Sequence, residues 1–559
     1  MSLTTHMKQP ALTVAYFSME IGLTSQMPTF AGGLGILTSD LMHSCADMGV
    51  KAACVTACWQ HGYLHQKINP DGTQQYTEID WDPSKVLKKL PQTITVMIEG
   101  HPVLVGVWAY DIVGRKGTVP VYFLDTNLPE NTPADREITK YLYGGDGAMR
   151  IRQELVLGIG GVRMLRALGY SDIGTFHMNE GHAAFLTLEL LKEKGFRDEE
   201  VRPLCAFTTH TPVKAGHDAF DYDLATRIAG DNLPWHIKKL AGEDVLSMTL
   251  LAMHLSHYTC GVSKIHGEVS RAMFPGEKID AITNGIHHLT WVSPEMSELF
   301  DRYSPGWKDD PEVLRGTCRS YPDEELWAAH QKAKIRLIDA IAARTGQQFD
   351  PNVLTIASAR RVVAYKQPEL LYSNLLRLKE ACHGHVQIVH AGNAHPSDPF
   401  AQSVIQRMIQ RSSELKDFVK IAYMDNYNPD LAKLLVQGAD VWLNTPMRLH
   451  EASGTSGMKA CLNGVLNLST LDGWWIEAFG EDPESGWRIG PLVQAVNNDE
   501  NRLVDAEDIY TQLQYQVIPE YEYLARSRWI RRMKRAIGLL ATFNSNRCVG
   551  EYVRKAWGK

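Results

Sequence analysis

Short runs of apolar, β-branched and aromatic residues punctuate the first half of the chain: TVAYFS (13–18), KAACVTAC (51–58), TITVMIE (93–99), PVLVGVWAYDI (102–112) and VPVYFLDT (119–126). Their length and composition predict strands, as do TFHMN (175–179) and LCAFTTH (204–210). The runs at 93–112 and 119–126 lie so close together that antiparallel pairing is expected there. MRIRQELVLGIGGVRMLRALG (149–169) and AFLTLELLKEKG (184–195) carry helical periodicity instead.

The second half alternates more regularly. Strands are predicted at NVLTIASA (352–359), HVQIVHAG (385–392), FVKIAYM (418–424), ADVWLN (439–444) and VLNLST (465–470). Helices are predicted between them at 368–381, 398–415 and 429–438. Strand–helix–strand at this spacing implies a parallel, doubly wound sheet, whose ligands sit beyond the carboxyl ends of the strands. A boundary is expected between ITNGIHHLTW (282–291) and Asn352, across a charged stretch holding the helical pattern 324–346. The C-terminal stretch 510–543 reads as helical.

Composition narrows the class. The chain has 559 residues, 44% hydrophobic and 22% charged, with a net charge of −7, as in a globular enzyme of more than one domain. No Lys/Arg-rich run tracks a phosphate backbone, so no nucleic-acid partner is expected. Nine scattered cysteines, of which only Cys54 and Cys58 lie close together, give no zinc or disulfide spacing and point to a reducing, cytoplasmic setting. No leader-like apolar stretch and no run of about 18 apolar residues occurs, so no membrane span is expected.

Candidate chemistry gathers at predicted strand ends. In HEASGTSGMKACLNG (450–464) a small-residue turn opens a helix, and the N–H groups of Thr455, Ser456 and Gly457 would favour a phosphate. Lys459 follows, as a charge clamp, as a covalent carrier of a phosphorylated aldehyde, or simply as an exposed lysine after a turn. ARRVVAYKQPE (359–369) places Arg360, Arg361 and Lys366 in one strand-to-helix loop, facing one cleft edge, as if more than one phosphate must be held. AGGLGILTSD (31–40) is a glycine-rich turn after the first strand; HMNEGH (177–182), TTHTPVKAGHD (208–218) and ITNGIHH put polar groups at the ends of apolar runs. His177/His182 and His210/His217 lack the compact spacing of a metal site, and no metal is expected.

EASGTSGMK, TNGI, TTHTPV, NEGH, YFSME and AGGLG occur in the order seen in the glycogen/maltodextrin phosphorylases, and the resemblance runs from about Tyr16 to about Trp475. It is closest to the compact prokaryotic α-glucan phosphorylases, since YFSME stands almost at the N-terminus; the longer members' N-terminal segment, with its phosphorylation and nucleotide control, is not expected. The resemblance implies the GT-B fold: two Rossmann-like doubly wound domains with the active site in the cleft between them. The domains implied are 1–295 for glucan and 296–525 for pyridoxal 5′-phosphate, with a helical segment, 526–559, packing back on the first.

The implied activity is that of a glycosyltransferase: retaining phosphorolysis of an α-1,4-glucan by inorganic phosphate, giving α-D-glucose 1-phosphate. The cofactor's phosphate, rather than its ring, acts as the acid/base relay. Lys459 matches the cofactor-carrying lysine; Thr455, Ser456, Gly457, Gly33, Arg360 and Tyr427 match its other contacts. Arg361 and Lys366 match the pair that holds the substrate phosphate, and the His210 carbonyl faces the positive charge that develops on the sugar. Glu451, Ser453, Gly454, Asn284, Tyr365 and His210 match contacts to glucosyl hydroxyls. The family also implies homo-oligomers.

Gln367, Asn393 and the loop PMRLH (446–450) depart from the family by being less basic. They bear on phosphate affinity and acceptor preference and leave two alternatives open: a catalytically degenerate glucan-binding protein without turnover, or a phosphorylase for a different α-glucoside. A hydrolase using two carboxylates among Glu180, Asp218, Glu451 and Asp472 would need neither Lys459 nor the basic loop. A nucleotide-sugar transferase of the same fold would leave Lys459 unexplained.

Overall fold

The computed structural model describes residues 9–62, 64–79, 81–492, 499–522 and 526–558. Residues 1–8, where a leader was sought, and 523–525, inside the predicted C-terminal helical stretch and at the expected boundary near 525, lie outside the described residues.

Two separate sheets carry the fold. The first has nine strands, in the spatial order 280–281, 258–261, 205–208, 173–179, 12–18, 52–57, 118–125, 101–113, 88–98. Pairing is parallel from one edge as far as 118–125, and antiparallel through 101–113 and 88–98, as the spacing of those runs predicts. The second sheet has six strands, all parallel, in the order 420–424, 386–391, 354–359, 441–444, 466–470, 486–489. Strands 258–261, 280–281 and 486–489 were not read from the sequence. They are two to four residues long and include glycine and polar positions, too few to show a period.

Strand order reverses between 12–18 and 173–179 in one sheet and between 354–359 and 441–444 in the other. At such a switch neighbouring connections leave in opposite directions and open a crevice at the strands' carboxyl ends. The loops that follow these four strands carry most of the residues singled out above.

The first sheet is buried on both faces. The helices Gly147–Leu155 and Gly161–Ala167, joined by a wider turn at Val156–Gly160, cover one face. The helix Gly33–Met48 covers the other, beside Ser545–Tyr552 from the far end of the chain. That end is tied down in the core: Trp557 Nε1 donates to His177 Nδ1 at 3.0 Å, and Tyr552 OH lies 3.1 Å from Thr208 Oγ1. Helix Arg526–Gly538 instead packs Trp529, Ile530 and Met533 into the core around the second sheet. The chain therefore passes from one half to the other after Phe543, where Ile286 and Ser545 exchange backbone hydrogen bonds with Phe543 and Ile286. Among the described residues no helix is long and apolar enough to cross a membrane.

Candidate functional site

Lys459 lies on the helix Ser456–Leu462, which starts at the small-residue turn after strand Val441–Asn444. Gly454 at φ 72° supplies the left-handed bend that turns the chain into this helix. The Lys459 side chain is buried, with Nζ 3.8 Å from the centroid of the Trp291 ring. Asp40, from the helix that begins at Gly33, accepts the Trp291 indole N–H at 2.9 and 3.1 Å and is the acidic partner of the Lys459 charge. Burial lowers the Lys459 pKa to about 8, against the opposing pull of Asp40. An amine poised this close to neutrality presents an appreciable fraction of its free base, the form that attacks a carbonyl carbon. A Cβ at Gly33, at the start of the Asp40 helix, would meet nothing within 4 Å, so space remains beside that turn. A buried, partly neutral lysine with open backbone near it fits a phosphorylated aldehyde cofactor.

The three cations expected to face one cleft edge occupy three different environments. Arg360 folds back onto the neighbouring strand: it donates to Asn444 Oδ1 at 2.6 Å and to the Leu443 carbonyl at 3.1 Å, and burial lowers its pKa to about 10. Arg361 is exposed. Lys366 pairs with Glu451 and lies 4.9 Å from the centroid of the Tyr365 ring. Gln367 adopts φ 45°, a strained position for a non-glycine residue in the turn that follows Lys366. The helix expected to open at Pro368 begins only at Leu375, because Asn374 caps it by accepting the Arg377 N–H at 3.1 Å.

Asn393 holds Tyr427 by its backbone: it donates to the Tyr427 carbonyl at 2.9 Å and accepts the Tyr427 N–H at 3.0 Å. The Asn393 carbonyl also accepts the Val362 N–H at 3.1 Å. The residue that departs from the family pattern thus joins the Arg361 loop to the Tyr427 loop.

From the first sheet, Asn179 accepts from His210 Nε2 at 2.6 Å through its side-chain oxygen, and donates through its side-chain nitrogen to Ser18 and Thr38 at 3.0 Å each. Glu180, at φ 72°, accepts the His210 N–H at 2.7 Å, the Thr211 hydroxyl at 2.9 Å and its neighbour Gly181 N–H at 3.0 Å. Burial drives the His210 pKa down to about 4, so its ring is neutral at physiological pH. Asn284 is buried, and its side-chain oxygen has no partner among the described residues, which leaves an acceptor for a ligand hydroxyl. Glu20, in YFSME, accepts the N–H groups of Ala31 and Gly32 and the Tyr143 hydroxyl, pinning the glycine-rich turn beside Gly33.

His177 stacks on Tyr16 with ring centroids 4.7 Å apart and is part of the core. His182 lies 3.3 Å from Asp218 and close to buried Glu154; among the described residues these three form a group with metal-ligand spacing. Arg150, 3.8 Å from Asp218, supplies positive charge there from the protein itself. All nine cysteines are buried thiols outside any disulfide.

Sequence reasoning passed over Asp40, Trp291 and Glu20, which support the candidate residues, and named Asp472 only among the carboxylates of the hydrolase alternative. Asp40 and Trp291 stand at the last positions of the quoted segments AGGLGILTSD and ITNGIHHLTW. What marks them, burial against Lys459, arises only on folding.

Residues 219–484 match the carbohydrate phosphorylase family. The chain is 38% identical to the maltodextrin phosphorylase of Thermococcus litoralis, over 98% of this chain and 70% of that protein. It is 35% identical to the glycogen phosphorylase of Aquifex aeolicus, over 98% of this chain and 86% of that one. A glycogen phosphorylase of Mycobacterium tuberculosis is 35% identical over 97% of this chain and 70% of its own length. Similarity of this degree along nearly the whole sequence makes the chain a member of the carbohydrate phosphorylase family.

Proposed function

We propose that this enzyme is an α-1,4-glucan phosphorylase, which transfers the terminal glucosyl unit of a maltodextrin or glycogen chain to inorganic phosphate with retention of configuration. The observation that carries the reading is Lys459: a buried lysine with its pKa lowered to about 8, on the short helix Ser456–Leu462 that follows a central strand of the parallel sheet. The two sheets, with their crevices at strand-order reversals, support two Rossmann-like halves of the GT-B kind. Residues 1–295 form the glucan half and 296–525 the cofactor half, with 526–559 as the helical segment whose end returns to the first.

Pyridoxal 5′-phosphate would be held by Lys459, with Thr455, Ser456, Gly457, Gly33, Arg360 and Tyr427 around it. When bound, it supplies a phosphate group of near-neutral pKa beside the substrate phosphate. The chain's own residues do the remaining work. Arg361 and Lys366 hold the substrate phosphate, and Lys366 exchanges its present partner, Glu451, for that anion. Glu451 is then free to accept from a glucosyl hydroxyl, alongside Ser453, Gly454, Asn284, Tyr365 and the His210 side chain. Glu180 holds the His210 N–H and the Thr211 hydroxyl, one on each side of the His210 carbonyl, whose dipole faces the positive charge that develops on the sugar.

The test is product release from maltodextrin with and without inorganic phosphate. Phosphate-dependent formation of glucose 1-phosphate, lost in Lys459→Ala, is the expected result. Free glucose or maltose appearing regardless of phosphate would replace this reading with hydrolysis, and glucan binding without product would favour the degenerate form.

A further inference from the structure

The turn that carries Glu451 and Ser453 does not hold its own shape. Leu449 sits at φ 69° and Gly454 at φ 72°, so the backbone enters and leaves the turn through left-handed conformations. Among the described residues, the only backbone-to-backbone hydrogen bond that residues 449–453 donate runs from His450 N–H to the Met447 carbonyl, at 3.1 Å. It is gripped from outside: the Ser263 hydroxyl donates to the Ala452 carbonyl at 2.5 Å, and the loop that follows strand Leu466–Thr470 holds the residues on either side. One oxygen of Asp472 accepts the His450 N–H at 3.1 Å and the Glu451 N–H at 2.8 Å; the other accepts the Gly473 N–H at 2.9 Å. Trp474 N–H donates to the Ser453 carbonyl at 2.9 Å. Gly473, at φ 52°, lies so close that a Cβ there would overlap that same carbonyl.

We propose that Asp472 is a positioning residue for phosphorolysis, acting through the Glu451 backbone to set where the Glu451 carboxylate meets the glucosyl unit. The proposal rests on the reading of Glu451 as a sugar contact. Two features separate this role from ordinary loop anchoring. A buried carboxylate placed next to a second carboxylate is an expensive way to hold a turn, since burial and Glu451 together push the Asp472 pKa up to about 7. The charged groups it faces are Glu451, with Lys366 beyond it, and His450 on the gripped turn itself. Yet only a carboxylate offers two acceptor oxygens to three N–H groups that diverge to either side; an amide would turn its NH2 toward one set of them. With the backbone fixed on this side by Asp472, and on the other by the buried Arg448–Asp505 pair, the Glu451 side chain is left free to exchange Lys366 for a sugar hydroxyl.

The experiment is a double-mutant cycle between Asp472→Asn and Glu451→Gln, read as kcat/KM for maltodextrin. Asp472→Asn is expected to lose about 100-fold in the otherwise unchanged protein, the scale of loss for a reacting group displaced by about 1 Å. In the Glu451→Gln background the same change is expected to cost less than about threefold. Cofactor content and thermal midpoint stay near those of the parent in both. Independent, additive losses would overturn the proposal, as would an Asp472→Asn enzyme within twofold of the parent. Amide hydrogen exchange over residues 449–454 is measured alongside and needs no activity. Faster exchange in Asp472→Asn is expected, and unchanged exchange removes the clamp. Should Asp472→Asn not fold, Asp472→Ser, which keeps one small acceptor, takes its place in the same cycle. A parent enzyme that releases no glucose 1-phosphate, while the exchange still responds, would fault the phosphorylase reading and leave the clamp standing.

Discussion

Arg448 is fully buried, in the loop that leads to Glu451, and its Nη1 donates to both oxygens of Asp505 at 2.7 and 2.8 Å. Asp505 lies on the helix Asp499–Gln512, so this pair ties the loop to the flank of the second sheet. Replacing Arg448 with methionine removes the charge but keeps a flexible apolar side chain of similar reach. Asp505 is then left buried without its guanidinium partner. Breaking a buried pair in this way costs about 3–5 kcal/mol, because the remaining charge keeps its desolvation penalty and loses the guanidinium that offset it. Spread over a half of some two hundred residues, that corresponds to a fall of roughly 6–20 °C in the midpoint of the affected unfolding transition. The double variant Arg448→Met/Asp505→Leu should recover most of the loss, since two apolar groups of matched volume need no compensating charge. Thermal and urea unfolding, followed by tryptophan fluorescence on the purified single and double variants, reads both. A single variant within 1 °C of the parent, or a double variant less stable than either single one, would refute the reasoning.

Burial holds His177 and His288 near pKa 3 and His43, His210, His266 and His390 near 4, all neutral in the fold. The unfolded chain binds protons at these rings from about pH 6.5 downward while the folded chain does not, so their stabilisation is complete above about 6.5 and is lost as pH falls toward 4. Thermal midpoints measured across that range should fall steeply, and a flat profile would contradict the burial. Gly473→Ala places a methyl against the Ser453 carbonyl in a left-handed backbone, and should cost more than about 2 kcal/mol in denaturant titration. Glu20→Gln removes the charge from the oxygen that accepts both the Ala31 and Gly32 N–H groups and replaces the acceptor of the Tyr143 hydroxyl with an NH2 group, and should lower turnover about tenfold with little change in the unfolding midpoint. Equal kinetics in that variant would separate the glycine-rich turn from the reaction.

The parallel alternation of the second half was legible because its strands are buried on both faces and read as short segments rich in apolar residues, as at NVLTIASA and VLNLST. The edge strand Gly486–Ile489 was not, since a glycine and an arginine in four residues leave no such run. Lys459 stood out through its small-residue turn. The basic loop was legible as composition but not as geometry. Arg360 lies one residue past its strand, and its direction is set by Asn444 on the neighbouring strand, a contact that no local pattern encodes. The same holds for Asp40, Trp291 and Asp472, which act across distances of many residues on groups that the fold alone brings near.

The account turns on Lys459 as the residue that carries the cofactor. Borohydride reduction of the purified protein, followed by peptide mass mapping, tests this directly. A pyridoxyl group on the peptide that contains Lys459, and on no other, is the result predicted. An unmodified Lys459 peptide from protein that still converts maltodextrin and phosphate to glucose 1-phosphate, or a pyridoxyl group on another lysine, would contradict it.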